Sequence, residues 1–277
     1  MHIIVPIKQV PETSNVKMDP ETGTMLRTAV QGIINPLDLF AIEAALRLRE
    51  SRGGIVTVIS MGPQKAEVAL RDALAMGCDQ AVLLSDRRFG GSDTWATAYT
   101  LSLAIRKLAP YDLVICGERA TDGETGQVGP GIAAALDLPL VTYVSQVVEV
   151  EDDFMRLERM IEGGREQVWS PLPLVLTVLK DVGNPRLGTV RSKLQARKAE
   201  IPTWGPDDVG TREEWIGLKG SPTRVVKIYS PKLARKGEVI VVNEENNMEK
   251  AAAAFIQFLK DREITEFIPK NNNNGGA

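Results

Sequence analysis

Four short apolar runs, at residues 3–7, 55–61, 81–85 and 113–117, constrain this chain most strongly. None alternates apolar with polar, so each reads as a strand covered on both faces, the environment of a parallel sheet flanked by helices. Helical stretches separate them. In "NPLDLFAIEAALRLRE", Asn35 can cap, Pro36 suits the first helical position, and Leu39, Ile42 and Leu46 share a face. "GPQKAEVALRDALAMG" opens with Pro63, turns Ala66, Ala69, Leu70 and Ala73 inward, and stops at Gly77. A third helix starts at Ser92 or Asp93 and spaces Trp95, Tyr99 and Leu103 one turn apart. Alternating strands and helices with right-handed crossovers predict an α/β protein with a doubly wound, mostly parallel sheet.

After residue 140 the pattern changes. Extended segments with turns at Asp152-Asp153 and Gly163-Gly164 predict an antiparallel excursion, and the run at 172–179 returns to the sheet. A basic helix follows, with Arg186, Arg191, Lys193, Arg197 and Lys198. Beyond residue 201 come short strands expected at 225–229 and 239–242, a terminal helix in "MEKAAAAFIQFLKDR", and a tail "NNNNGGA" expected to be disordered. With too few apolar residues for its own core, this stretch reads as an extended arm packing on a partner or on the first domain. The expected domains are therefore 1–200, an α/β domain, and 201–277, the C-terminal arm.

Composition mainly excludes. His2 is the only histidine, which removes histidine-activated serine or cysteine nucleophiles and His-rich zinc sites. Cys78 and Cys116 fit neither a disulfide framework nor paired metal-ligand spacing, and read as small core side chains. A net charge of −3 gives no argument for nucleic acid. No run approaches the roughly 18 apolar residues of a membrane span. The first residues open directly as a strand without a leader pattern, so a cytoplasmic protein is expected, reaching a membrane only through partners.

The most unusual stretch is "ATDGETGQVGPG" at 120–131, directly after the fourth apolar run. In an open parallel sheet ligands sit beyond the carboxyl ends of the strands. Pro130 belongs in a first helical turn, which places the helix start near Thr125 and leaves the amides of Gly126, Gln127 and Val128 without helical partners, at the positive end of the dipole. A phosphate suits that arrangement. Gly123 and Gly126 admit close approach, and Thr125 either caps the helix or donates to the anion. The alternative is a tight turn that binds nothing. Asp122 and Glu124 are more acid than a phosphate cradle needs, so at least one turns away or accepts from hydroxyls or ring N–H groups. Other strand ends add Pro6, Ile7 and Lys8, then Met61 and Gly62, then "GGSDT". No Walker sequence is present, and the glycines follow the fourth strand where a Rossmann fingerprint follows the first, so binding without hydrolysis is expected.

The segments "NPLDLFAIEAALRL", "MGPQKAEVALRDALAMGCDQAVLLSD" and "DLVICGERATDGETGQVGPGIAAALDLP" resemble the β subunit of electron transfer flavoproteins, FixA-type members included. The likeness continues in order through "SQV", "NPRLGTV", the basic helix and "GSPTRVVKI". It implies an adenine-nucleotide α-hydrolase-like fold and pairing with a larger α subunit that carries an electron-transferring FAD. The β subunit would hold a second FAD in electron-bifurcating members, or AMP in the same site in simple carriers. "TDGETGQVGP" is shorter than the AMP-type loop and, with "GGSDTWATAYTL", resembles the bifurcating group.

Carried over residue by residue, the resemblance places the phosphates at Asp122, Gly123, Glu124, Thr125, Gly126, Gln127 and Val128. It places the adenosine at Pro6, Ile7, Lys8, Asn35 and Met61, with Asp93, Thr94 and Thr97 nearby. These are contacts, with no catalytic acid among them. Each has a plainer reading: Asn35 as a cap, Met61 as core, Lys8 as a solvated charge. The resemblance further implies NADH as donor, its two electrons parting between the α-subunit FAD and a ferredoxin-type iron–sulfur protein, with a dehydrogenase or quinone oxidoreductase as the other partner. "RLGTVRSKLQARK" corresponds to a partner-recognition segment with Val190 or Leu194 as anchor, or else to a solvated helix or an α-subunit contact. A stand-alone nucleotide sensor similar to universal stress proteins is the competing class, and the long C-terminal arm argues against it.

Overall fold

The computed structural model describes residues 1–12, 32–224, 245–262 and 264. The strands are β1 (His2–Pro6), β2 (Gln9–Pro11), β3 (Gly32–Ile34), β4 (Ile55–Met61), β5 (Gln80–Leu84), β6 (Leu113–Gly117), β7 (Leu140–Val150), β8 (Phe154–Ile161), β9 (Gly164–Pro171), β10 (Leu174–Val178) and β11 (Thr203–Trp204). The helices are α1 (Asp38–Arg52), α2 (Glu67–Met76), α3 (Thr94–Lys107), α4 (Val128–Leu136), α5 (Val190–Lys198), α6 (Pro206–Val209), α7 (Gly217–Gly220) and α8 (Glu245–Asp261). Nine strands form one sheet in the order β11-β5-β4-β1-β6-β10-β7-β8-β9, while β2 and β3 make a separate antiparallel pair.

The order reverses at β1, which pairs in parallel with β4 on one side and β6 on the other. The sheet is doubly wound, as its apolar runs require: Ile3, Val5, Leu113 and Ile115 pack beneath α1 and α2, whereas Ile4, Val114 and Cys116 pack beneath α3 and α4. Successive residues of one strand thus serve opposite layers, and no polar alternation is left. The excursion also folds as read: β7, β8 and β9 are antiparallel, and β10 returns parallel to β6.

Three local readings change. Helix α1 begins at Asp38, with Leu37 at its cap position, so Asn35 and Pro36 lie ahead of it and Asn35 is not its cap. Helix α4 begins at Val128, three residues beyond the expected start, because Glu124 (φ 54°) and Gly126 (φ 63°) hold left-handed backbone that no helix continues through. The segment after residue 200 joins the sheet: Trp204 pairs with Leu84 in β5, and Val209 and Ile216 bury in the α3 layer. Those few apolar residues share an existing core, and the first compact unit extends to Val225. The second unit, from Val226, contains α8, which leaves Phe255, Ile256 and Phe258 largely exposed. The strands expected at 225–229 and 239–242 and the terminal tail lie outside the described residues. No helix among the described residues is long and apolar enough to cross a membrane.

Candidate functional site

Strands β1, β4, β5, β6 and β10 run parallel, so Pro6, Met61, Leu84, Gly117 and Val178 all end on one edge. Between β1 and β6 the connections leave in opposite directions and open a crevice at that edge. The N-termini of α1, α3 and α4 follow β-strand ends here, directing the positive ends of three helix dipoles toward the same rim.

The crevice is framed by a few polar side chains that join segments distant in sequence. Asn35, fully buried, donates from Nδ2 to the Arg119 carbonyl (2.8 Å) and accepts from the Thr121 amide at Oδ1 (3.1 Å). Its own amide donates to the Lys8 carbonyl (2.8 Å). Asn35 therefore ties the exit of β1 to the loop after β6, a task that removes it from capping α1. Asp38 accepts from the Lys8 amide at Oδ2 (2.8 Å) and packs against Gly117, where any β-carbon would collide with its carboxylate. Burial pushes the Asp38 carboxyl up to about 7, and the hydrogen bond from the Lys8 amide offsets this only in part. Lys8 Nζ crosses the crevice to Asp122 (2.7 Å).

The four glycines in the loop and first turn of α4 divide by role. A β-carbon on Gly129 would stand 2.6 Å from Thr177 Cγ2, and one on Gly131 2.7 Å from Ala98 Cβ, so both serve the close packing of α4. Gly126 supplies the left-handed turn. A β-carbon on Gly123 would meet nothing within 4 Å, leaving open space beside its backbone. The first α4 bond runs from the Gly131 amide to the Gln127 carbonyl (2.9 Å) and Pro130 has no donor, so the amides preceding helical pairing are those of Val128 and Gly129. Val128 belongs to the Gly126–Val128 set read from the sequence, and Gly129 adds one more unpaired amide to it. Thr125 is not the cap; its hydroxyl lies 3.3 Å from that of Thr94 and joins the loop to the start of α3.

The remaining expected residues fall into place unevenly. Pro6 and Ile7 are buried at the β1 exit, Met61 is half-buried at the end of β4, and Thr97 is half-buried on α3, while Asp122, Gly123, Glu124, Thr125 and Gln127 are exposed. Asp93 is already engaged: one oxygen accepts from the Ala96 amide as the cap of α3 (3.0 Å), the other from the Thr223 amide and hydroxyl (2.9 and 2.7 Å). Burial opposes ionisation there, but these donors outweigh it and hold the carboxyl below the usual range. His2 lies at the opposite edge, bonded to the Pro110 carbonyl (2.8 Å) and the Thr57 hydroxyl (2.9 Å). No sequence motif marks Asp38; its one signal is an acid that opens a helix three residues after Asn35.

A second region stands apart. On α5, Val190 (77% exposed) and Leu194 (53%) line a groove of about 460 Å³ with Arg191, Gln195 and Lys198, and Leu187 beside them is 92% exposed. Arg71 of α2 donates to the carbonyls of Ala196 (2.6 Å), Arg197 (3.0 Å) and Ala199 (3.1 Å), closing the helix end. Arg186 reaches Glu43 (2.9 Å) and Glu50 on α1. Burial opposes ionisation of Glu43, but Arg186 and Arg47 together hold its carboxyl below its ordinary range.

The electron transfer flavoprotein domain family matches residues 22–209. The chain is 47% identical to electron transfer flavoprotein subunit beta of Thermoanaerobacterium thermosaccharolyticum over 95% of its length and 100% of that protein. It is 44% identical to protein FixA of Azotobacter vinelandii, covering 92% of each chain. Subunit CarD of the caffeyl-CoA reductase-Etf complex of Acetobacterium woodii is 43% identical over 95% of this chain and 100% of its own.

Proposed function

The chain belongs to the electron transfer flavoprotein family, among its β-subunit and FixA members, and from that premise we propose that it binds FAD in the β1/β6 crevice and works in electron bifurcation from NADH. The observation that carries the binding site is the loop of residues 118–127. It is tied to β1 by buried Asn35, opens beside Gly123, and ends on the unpaired amides of Val128 and Gly129. Those amides and the Thr125 and Thr94 hydroxyls suit a diphosphate, and Lys8 is the cation across the crevice. Asp122 pairs with Lys8 and holds its ammonium beside the loop. Pro6, Ile7 and Met61 form the wall for the adenosine, with Thr97 alongside and Asn35 bracing the wall from within the fold, while Glu124, Gly126 and Gln127 complete the turn. The bound flavin supplies the two-electron and one-electron chemistry; the chain's own residues bind, orient and shield it.

In this reading a larger α subunit carries the second FAD, and the segment from residue 201 onward includes the arm that packs on it. Val190 and Leu194 face a dehydrogenase or quinone oxidoreductase, and a ferredoxin-type protein takes the other electron. The likeness to a subunit of the caffeyl-CoA reductase-Etf complex supports placement in a larger redox assembly. Quantifying cofactors released from the purified complex tests the reading. Two FAD per αβ pair, with the β-bound flavin reduced by NADH, is expected. One FAD and one AMP would replace bifurcation with simple electron carriage.

A further inference from the structure

Among the described residues, Asp38 is the one buried acid at the crevice that the binding site does not use directly. It sits at the first residue of α1, against Gly117 at the end of β6, with the Lys8 amide on one oxygen. The charged and titratable groups facing it come from three elements. Lys8 approaches from the β1 exit, Asp122 from the loop after β6, and Cys116 from β6 itself, its thiol neutral because burial pushes it well above its ordinary range. One turn further along α1, Glu43 is occupied by Arg47 and Arg186. Among the described residues Lys8 is therefore the one cation acting on Asp38, and it is shared with Asp122.

We propose that Asp38 is a proton-linked positioning residue: when a diphosphate fills the crevice, Asp38 takes up a proton from solvent. The inference rests on the nucleotide-binding reading above. Two effects act in the same direction. New negative charge at the loop disfavours the carboxylate, and a Lys8 ammonium that turns from Asp122 toward phosphate no longer favours it. Free Asp38, with its carboxyl at about 7, is partly ionised near neutrality and has a proton to gain. Binding and protonation are then linked, and affinity weakens as pH rises above neutrality. The protonated carboxyl still accepts from the Lys8 amide, so the β1 exit stays in register with the loop.

The test is calorimetric titration of FAD into the purified complex stripped of its β-site nucleotide, between about pH 6 and 9, in buffers of different ionisation heat. FAD keeps its diphosphate ionised throughout that range, so the ligand contributes no proton. The expected result is a buffer-dependent heat of proton uptake, with Kd rising by up to about tenfold per pH unit above neutrality. Asp38→Asn should bind FAD with no uptake and a flat Kd. As a second readout independent of that variant, infrared difference spectra should show a protonated carboxyl gained on FAD binding. Binding without uptake, or equal uptake by wild type and Asp38→Asn, would overturn the role of Asp38 while leaving the site. Failure of wild type to bind FAD at all would overturn the site and the inference together.

Discussion

The β1/β6 crevice and the α5 face are held in place by opposite means. The crevice presents backbone amides, fixed by a buried amide side chain and a buried carboxyl that reach across the fold. The α5 face presents exposed apolar side chains, and its backbone is fixed from outside by Arg71 and Arg186. A backbone site tolerates little change in its packing, because the donors move with the chain. A side-chain face can be rewritten residue by residue without disturbing the helix that carries it. The two regions should therefore respond to mutation in separable ways.

The largest effect is expected at Gly129. A valine there drives its β-carbon into Thr177 and Cys116, and should cost about 3 kcal/mol of stability by denaturant unfolding, with loss of bound nucleotide. Next, Asn35→Ala empties a fully buried site and leaves the Thr121 amide and Arg119 carbonyl without their partner. It should cost about 2 kcal/mol and release the cofactor, whereas a merely capping Asn35 would leave cofactor content intact.

A pH dependence of stability follows from Asp38. Its folded-state value, about 7, lies above the ordinary 3.8, so the folded state holds a proton that the unfolded state has lost. That contribution is fully favourable below the lower value and declines as pH rises through the window to about 7, by a few kcal/mol in all. Asp38→Asn should flatten this slope, measured by urea unfolding at several pH values. The smallest stability effect belongs to Val190→Asp and Leu194→Asp on α5, within about 0.5 kcal/mol of wild type. Cofactor content should be unchanged, while electron transfer to the partner slows at least tenfold, an expected loss of about 1.4 kcal/mol at the encounter. A large loss of stability there would show that the face packs on the chain itself, and the comparison would break.

Much of the fold was legible because the doubly wound sheet writes itself into continuous apolar runs, and the excursion into Asp152-Asp153 and Gly163-Gly164. The place of the glycine-rich loop, between the fourth apolar run and a helix, followed from the same grammar. Its internal geometry did not. That Glu124 would take a left-handed conformation depends on the turn around it, and so the start of α4 moved to Val128. Asn35 looked like a cap because its partners, Arg119 and Thr121, lie more than eighty residues further along the chain. Trp204, Val209 and Ile216 looked too sparse for a core because the core they join belongs to β5 and α3.

In the proposed site, the crevice beside Gly123 holds the dinucleotide through backbone donors. Gly123 tests it cleanly, since a β-carbon there meets no protein atom and its backbone lies outside the left-handed region. Flavin content per αβ pair should fall from two to one in Gly123→Val, with an unfolding midpoint unchanged from that of wild type stripped of the same cofactor. Retention of both flavins by the folded variant would contradict the placement.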